Sequence, residues 1–185
     1  MALQDAILAA LAYDEPSGYD LAKAFDVTVS SYWTATPQQL YRELEKMEAA
    51  GLVAAREVQQ TKRPNKRLFS LTDAGRTALR DFTQRPPKPI AIRDELLVQV
   101  QAVELGDAAA VRGHVQDKLA AAEHKLAQYE RTRAFLLDGR TEAAYLAHAP
   151  SIGPYLTLCR GILFEQENIR WCRLTLTALT DRTDA

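Results

Sequence analysis

The sequence predicts a mainly α-helical protein with one small β-hairpin, built in two parts. Three observations carry this expectation. Apolar residues recur at helical spacing through most of the 185 residues, two short alternating segments follow one another between Leu52 and Leu71, and a proline cluster divides the chain. The cluster is "TQRPPKPIAI", Thr83 to Ile92. Its prolines cannot continue a helix and favour an extended, stiff connection. The boundary is therefore set at residues 1–85 and 86–185.

The first part opens with Met1 to Ala12, where Leu3, Ile7, Leu8 and Leu11 follow a helical spacing. "EPSGYDLAKAF" gives a turn at Pro16 to Gly18, then a second helix carrying Leu21, Ala22 and Phe25. The third helix is "TPQQLYRELEKMEAAGLV". Thr36 can cap it, Pro37 suits its first position, and Gly51 ends it. "LVAAREV" and "RLFSL" alternate as two strands joined by the polar loop "QQTKRPNK", and "LTDAGRTALRDF" starts a further helix at Thr72. Three helices followed by a hairpin is the order of a winged helix-turn-helix.

The third helix has an unusual first turn. Asp and Glu suit the positive end of a helix, yet the acids wait until Glu43, Glu45 and Glu48, and two glutamines stand at the tip. At about 100° per residue, Leu40, Leu44 and Met47 share the core side, and Gln38 and Arg42 face away, flanked by Gln39 and Tyr41. Gln pairs bidentately with adenine edges and Arg with guanine, while Tyr41 and the capping Thr36 suit phosphate. Glu45 lies a turn deeper, so only the N-terminal half is expected to enter a groove. The hairpin loop adds Lys62, Arg63, Lys66 and Arg67 with no acid among them, a wing able to reach phosphates. Basic solvated loops are common, so alone the wing favours that reading over DNA, and it points to DNA only beside the helix tip.

These residues carry a family resemblance. "SGYDLAKAF", "YWTATPQQLYRELEKMEAAGLV" and "FSLTDAGRTAL" resemble the PadR family of winged-helix transcriptional regulators over the first 82 residues or so. The resemblance implies a homodimeric regulator, often a repressor, that binds palindromic promoter DNA and is released by a small effector. It also implies DNA contact for Tyr19, Gln38, Gln39, Tyr41, Arg42 and the wing basics. The helical second part is similar to the longer subgroup, whose C-terminal helices mediate dimerisation.

In that second part, "IRDELLVQVQAVEL" reads as a short amphipathic helix and Asp107 to Asp138 as a long one. Val115, Leu119, Ala122, Leu126, Tyr129, Arg133 and Leu136 form a heptad stripe along the long helix. The last helix, about Gly153 to Leu179, repeats the pattern through Leu158, Ile162, Glu165, Ile169, Cys172, Leu176 and Leu179. Leu156, Leu163, Trp171 and Leu174 lie on another face of it, and this surplus of apolar surface predicts a homodimer held by the C-terminal half. Arg133 and Glu165 interrupt the stripes and should pair with one another or with neighbours, since a half-buried charge is costly alone. A small aromatic effector is expected between the two halves, near Trp33, Tyr155, Glu165 and Trp171, although a core role for the aromatics competes with this reading.

Composition sets the remaining bounds. Net charge is −1, so a nucleic-acid function rests on local clusters rather than a global field. The 47% hydrophobic content supports a proper core. No signal peptide or apolar span of roughly 20 residues is apparent, and the chain reads as soluble and cytoplasmic. His114, His124 and His148 lack metal-ligand spacing, and Cys159 and Cys172 form no CxxC motif and read as small hydrophobes. No metal or cofactor is expected, nor an enzyme, because no phosphate loop, nucleophile elbow or placed acid pair is present. The competing function is a winged-helix adaptor that binds protein rather than DNA. Its weakness is the cluster of Lys62, Arg63, Lys66 and Arg67, which an adaptor does not need.

Overall fold

The computed structural model describes residues 2–27, 33, 35–59, 65–90 and 92–181. Its element order is α1 (Ala2–Ala10), α2 (Gly18–Val27), α3 (Pro37–Ala49), β1 (Val53–Val58), β2 (Lys66–Leu71), α4 (Asp73–Thr83), α5 (Glu95–Gln101), α6 (Ala108–Leu137), α7 (Glu142–His148) and α8 (Gly153–Asp181). The chain forms two compact units, residues 1–88 and 89–185.

In the N-terminal unit the core gathers one face of each element. Ile7, Leu8 and Leu11 meet Leu21 and Phe25 of α2, Leu40, Leu44 and Met47 of α3, and Val53, Phe69 and Leu71 of the hairpin. The 3-to-4-residue spacing of these side chains on the helices is what turns them inward together. The strands pair antiparallel, with Val53 opposite Leu71 and Val58 opposite Lys66. A third segment joins them that sequence reading took only as a turn. Ser17 bridges Leu68, and the Phe69 N–H donates to the Pro16 carbonyl at 3.0 Å.

Both ends of α3 are finished by local chemistry. The Thr36 hydroxyl accepts from the Gln39 N–H, and the Gln39 side chain accepts from the Thr36 N–H, a reciprocal capping box. At the other end Gly51 takes φ +69°, its N–H donates to Glu48 O, and Leu52 N–H donates to Met47 O. This pair of bonds is a Schellman motif, and the left-handed φ is one that glycine adopts without a Cβ penalty. The Thr72 hydroxyl then caps α4 through the Gly75 N–H and donates to the Gly51 carbonyl at 2.7 Å. Gly75 is buried there against the Leu52 carbonyl oxygen, so close that a β-carbon would collide with it.

The C-terminal unit is built on α6 and α8, which pack along each other. Val111, Val115, Ala122 and Tyr129 of α6 are buried, as are Leu158, Ile162, Glu165, Ile169 and Cys172 of α8. The two heptad stripes therefore close largely on one another within a single chain. Each stripe thus has a partner within the chain, and the expected dimer rests on the other apolar face alone. Leu163 and Leu174, by contrast, remain 61% and 69% exposed, and Phe135 of α6 is 82% exposed. The α7 helix, Glu142–His148, was not foreseen. It is capped by the Thr141 hydroxyl and seats Tyr145 against Tyr155 with ring centroids 4.9 Å apart.

Candidate nucleic-acid interface

The capping box fixes how α3 presents its first turns. Gln39 spends its side-chain oxygen on the Thr36 N–H, and Thr36 spends a hydroxyl lone pair on the Gln39 N–H. These two residues shape the tip. Gln38 and Arg42 stand exposed on the side opposite the buried Leu40, Leu44 and Met47, with the exposed Glu45 one turn deeper on the same side. The first turn holds no acidic residue.

Two tyrosines stand beside this tip. Tyr19, at the start of α2, is 71% exposed, and Tyr41 is 43% exposed with its ring against Gly18. A β-carbon at Gly18 would lie 2.5 Å from the Tyr41 ring, so the glycine makes room for it. Tyr19, Tyr41, Glu45, Lys66 and Arg67 line a cleft of about 520 Å³ between the start of α2, the middle of α3 and β2.

The wing cations divide. Lys62 and Arg63 lie outside the described residues. Lys66 sits 3.7 Å from the Asp20 carboxylate, which also accepts from the Ser17 hydroxyl at 2.7 Å. The Ser17 hydroxyl first, then the Lys66 ammonium, hold the Asp20 carboxyl below the usual carboxylate range. Arg67 places one terminal nitrogen 2.9 and 2.7 Å from the two oxygens of Glu48, and its guanidinium lies 5.5 Å from the Phe69 ring centre. Sequence reading expected Lys66 and Arg67 to be open to phosphate. Both side chains stay about half-exposed, and each is also engaged with a carboxylate of the helical scaffold, a pairing between distant positions that no local pattern signals.

The residues proposed around an effector do not assemble as expected. Trp33 is partly buried against the core of the N-terminal unit. Tyr155 and Trp171 are both on α8, and 16 residues at 1.5 Å each separate them by about 24 Å. One small molecule cannot touch both. Tyr155 is fully buried, with its hydroxyl accepting from Arg133 Nε at 3.3 Å. Glu165 is buried and accepts from Asn168 at 2.9 Å, while Arg133 turns to Glu142 at 3.1 Å and Glu130 at 3.7 Å. The two charges thus find neighbours, not each other. Clefts in this unit are lined elsewhere, one of about 420 Å³ by Phe135, Arg140 and Tyr145, another of about 600 Å³ by Glu123, Leu126, Ile169 and Arg173.

Among the described residues, no group of three or more His, Cys, Asp or Glu could hold a metal ion. No described helix is long and apolar enough to cross a membrane. Both cysteines are free, and burial pushes the Cys172 thiol up.

Comparison with known proteins gives this geometry its setting. Residues 7–81 match the model of the transcriptional regulator PadR-like family, and residues 92–180 match that of the virulence activator alpha C-terminal region. A probable transcriptional regulator of Mycobacterium tuberculosis is 32% identical, over 98% of this chain and 100% of its own. The negative transcriptional regulator PadR of Bacillus subtilis is 26% identical over 97% of this chain and 98% of its own. The crystal structure of that protein in complex with operator DNA superposes with a TM-score of 0.75 at 26% identity, covering 97% of this chain and 99% of the other. Its complex with p-coumaric acid gives a TM-score of 0.69 at 25% identity, with the same coverage.

Proposed function

This chain belongs to the PadR-like family of transcriptional regulators, and from that premise we propose that it acts as a homodimeric repressor. It binds a palindromic promoter operator and leaves it when a small aromatic effector binds. The observation that carries the reading is the acid-free, capped tip of α3, with Gln38 and Arg42 exposed on the side away from the core. Gln38 is suited to an adenine edge and Arg42 to a guanine edge, while the exposed Tyr19 and Tyr41 are suited to phosphate. Lys62 and Arg63 extend the contact along the backbone from the hairpin loop.

Negative control follows the relative named a negative regulator, and effector release follows the relative crystallised with p-coumaric acid. Dimerisation is supported by the apolar side chains of the C-terminal unit that α6 and α8 leave uncovered, Phe135, Leu163 and Leu174. A C2 dimer gives its two recognition helices a fixed separation, which a palindromic site matches. Nothing in an adaptor that ignores DNA accounts for the exposed Gln38 and Arg42 pair.

Footprinting of the protein on the promoter of its own gene tests the reading. A protected segment with two-fold symmetry and an affinity that falls log-linearly with salt are expected. Equal affinity for operator and random DNA would overturn it.

A further inference from the structure

The geometry points to Glu48 as a positioning residue that locks the hairpin to the recognition helix through Arg67 and keeps that arginine's charge away from phosphate. The inference rests on the DNA-binding reading of the same unit. Glu48 and Arg67 are 19 residues apart, one near the end of α3 and the other on β2. One guanidinium nitrogen meets both carboxylate oxygens, at 2.9 and 2.7 Å. The planar group is fixed from a second direction by the Phe69 ring, itself part of the core. The two contacts favour one placement of a side chain that is still 52% exposed.

Position makes the same point. Glu48 lies ten residues beyond Gln38, about 15 Å along the helix axis from the base-reading tip. A carboxylate at that depth does not repel the backbone that the tip approaches. It can, however, hold back an arginine whose long side chain, once released, could extend toward that backbone. The neighbouring pair repeats the device, with Lys66 against Asp20 and Asp20 braced by Ser17. The two described cations at the base of the wing are thus each matched by a carboxylate of α2 or α3. Helix and wing then meet DNA in one fixed relation, and the base of the wing adds little attraction for phosphate of any sequence. The consequence is specificity: sequence-independent affinity is held down while contacts from the helix tip are left intact.

The pair is accessible, with side chains 52% and 35% exposed, so its effect is modest and salt-sensitive. The test uses the full-length protein on its operator and on random duplex of equal length, across a salt series. The proteins are the wild type, Glu48→Gln, Arg67→Gln and the double variant. Glu48→Gln frees the arginine's charge. It should bind random DNA roughly two- to fivefold tighter, steepen the salt slope by about 0.9, and narrow the operator-to-random ratio. Arg67→Gln should keep the wild-type slope, and Glu48→Gln should have no effect in its presence. The reverse pattern overturns the proposal: Arg67→Gln flattening the slope by about 0.9 with Glu48→Gln unchanged would make Arg67 a phosphate contact already. Wild-type protein that cannot tell operator from random DNA would overturn the functional reading itself, and the unmodified chain reveals that separately.

Discussion

Arg133 and Tyr155 join the two long helices of the C-terminal unit, Nε of the arginine donating to the phenolic oxygen at 3.3 Å. Tyr155 is fully buried beneath Tyr145, and burial pushes its hydroxyl pKa up, against the opposing pull of Arg133. The bond gives the buried phenolic oxygen a charged donor, beside the hydrogen-bonding contact it also makes with Cys159. Tyr129, one face along the same interface, shows the contrasting case, because its buried hydroxyl has no partner among the described residues.

Tyr155→Phe should therefore destabilise the protein by about 1 kcal/mol, while Tyr129→Phe should be neutral or slightly stabilising. The pH dependence has a definite sign. A phenol whose folded pKa is raised stays neutral longer in the folded chain. Its contribution is complete below the unfolded value of about 10 and is lost as pH rises beyond it. Denaturant melts between pH 8 and 11 should show a smaller alkaline loss for Tyr155→Phe than for wild type. An unchanged alkaline slope would mean the shift is not felt in stability.

The dimer should depend on side chains that the single chain leaves uncovered. Leu163→Glu adds a charge at a position 61% exposed within one chain, so it should not disturb the α6–α8 seam. Sedimentation should show monomers with unchanged helix content. A dimer as stable as wild type would move the interface off this face.

Bases should be read from the tip of α3. Gln38→Ala and Arg42→Ala should each narrow the gap between operator and random DNA by about 1–3 kcal/mol. Competition titrations at fixed salt would measure it. Equal losses on both duplexes would show that these side chains only position the protein. Thr36→Ala should act differently, costing about 1 kcal/mol of stability through the lost cap.

Acid should loosen the C-terminal unit at Asp94. The Lys118 ammonium at 3.0 Å, chiefly through its hydrogen bond, holds the Asp94 carboxyl below its ordinary value. A lowered folded pKa gives stability that is present above the unfolded value of about 3.9 and disappears as pH falls below it. Asp94→Asn keeps an oxygen for the Leu96 N–H that caps α5 but removes the charge. Its unfolding curve should be flatter than that of wild type below about pH 4, and identical curves would exclude the ion pair as the cause.

What could be read from the sequence followed the range of each signal. The caps of α3 and α4 and the glycine after α3 act within four residues, so "TPQQ", "LTDAG" and "AAGL" announced them locally. The apolar spacing of Leu40, Leu44 and Met47 fixed the outward face without tertiary information. Pairings across the chain were out of reach. Glu48 with Arg67, and Ser17 with Leu68, meet only because the unit folds. The heptad stripes showed that α6 and α8 need a long partner but not which chain supplies it. The short α7 carries five consecutive apolar residues, Ala143 to Ala147, which mark no single face. Its Tyr145 is why Tyr155 belongs to a packed core rather than a ligand site.

The Pro16–Ser17 bridge also governs how the small sheet ends. A hairpin edge with free N–H and C=O groups is a template on which another chain can grow a strand. On the β2 side that template is already occupied, the Pro16 carbonyl accepting from Phe69 and Ser17 bridging Leu68. The occupying segment cannot extend the ladder, since proline has no N–H to offer. On the β1 side, the charged Arg56 and Glu57 blunt the exposed strand as a template for a second copy. The hairpin can therefore stay exposed enough to meet another macromolecule while resisting the edge-to-edge aggregation that exposure invites.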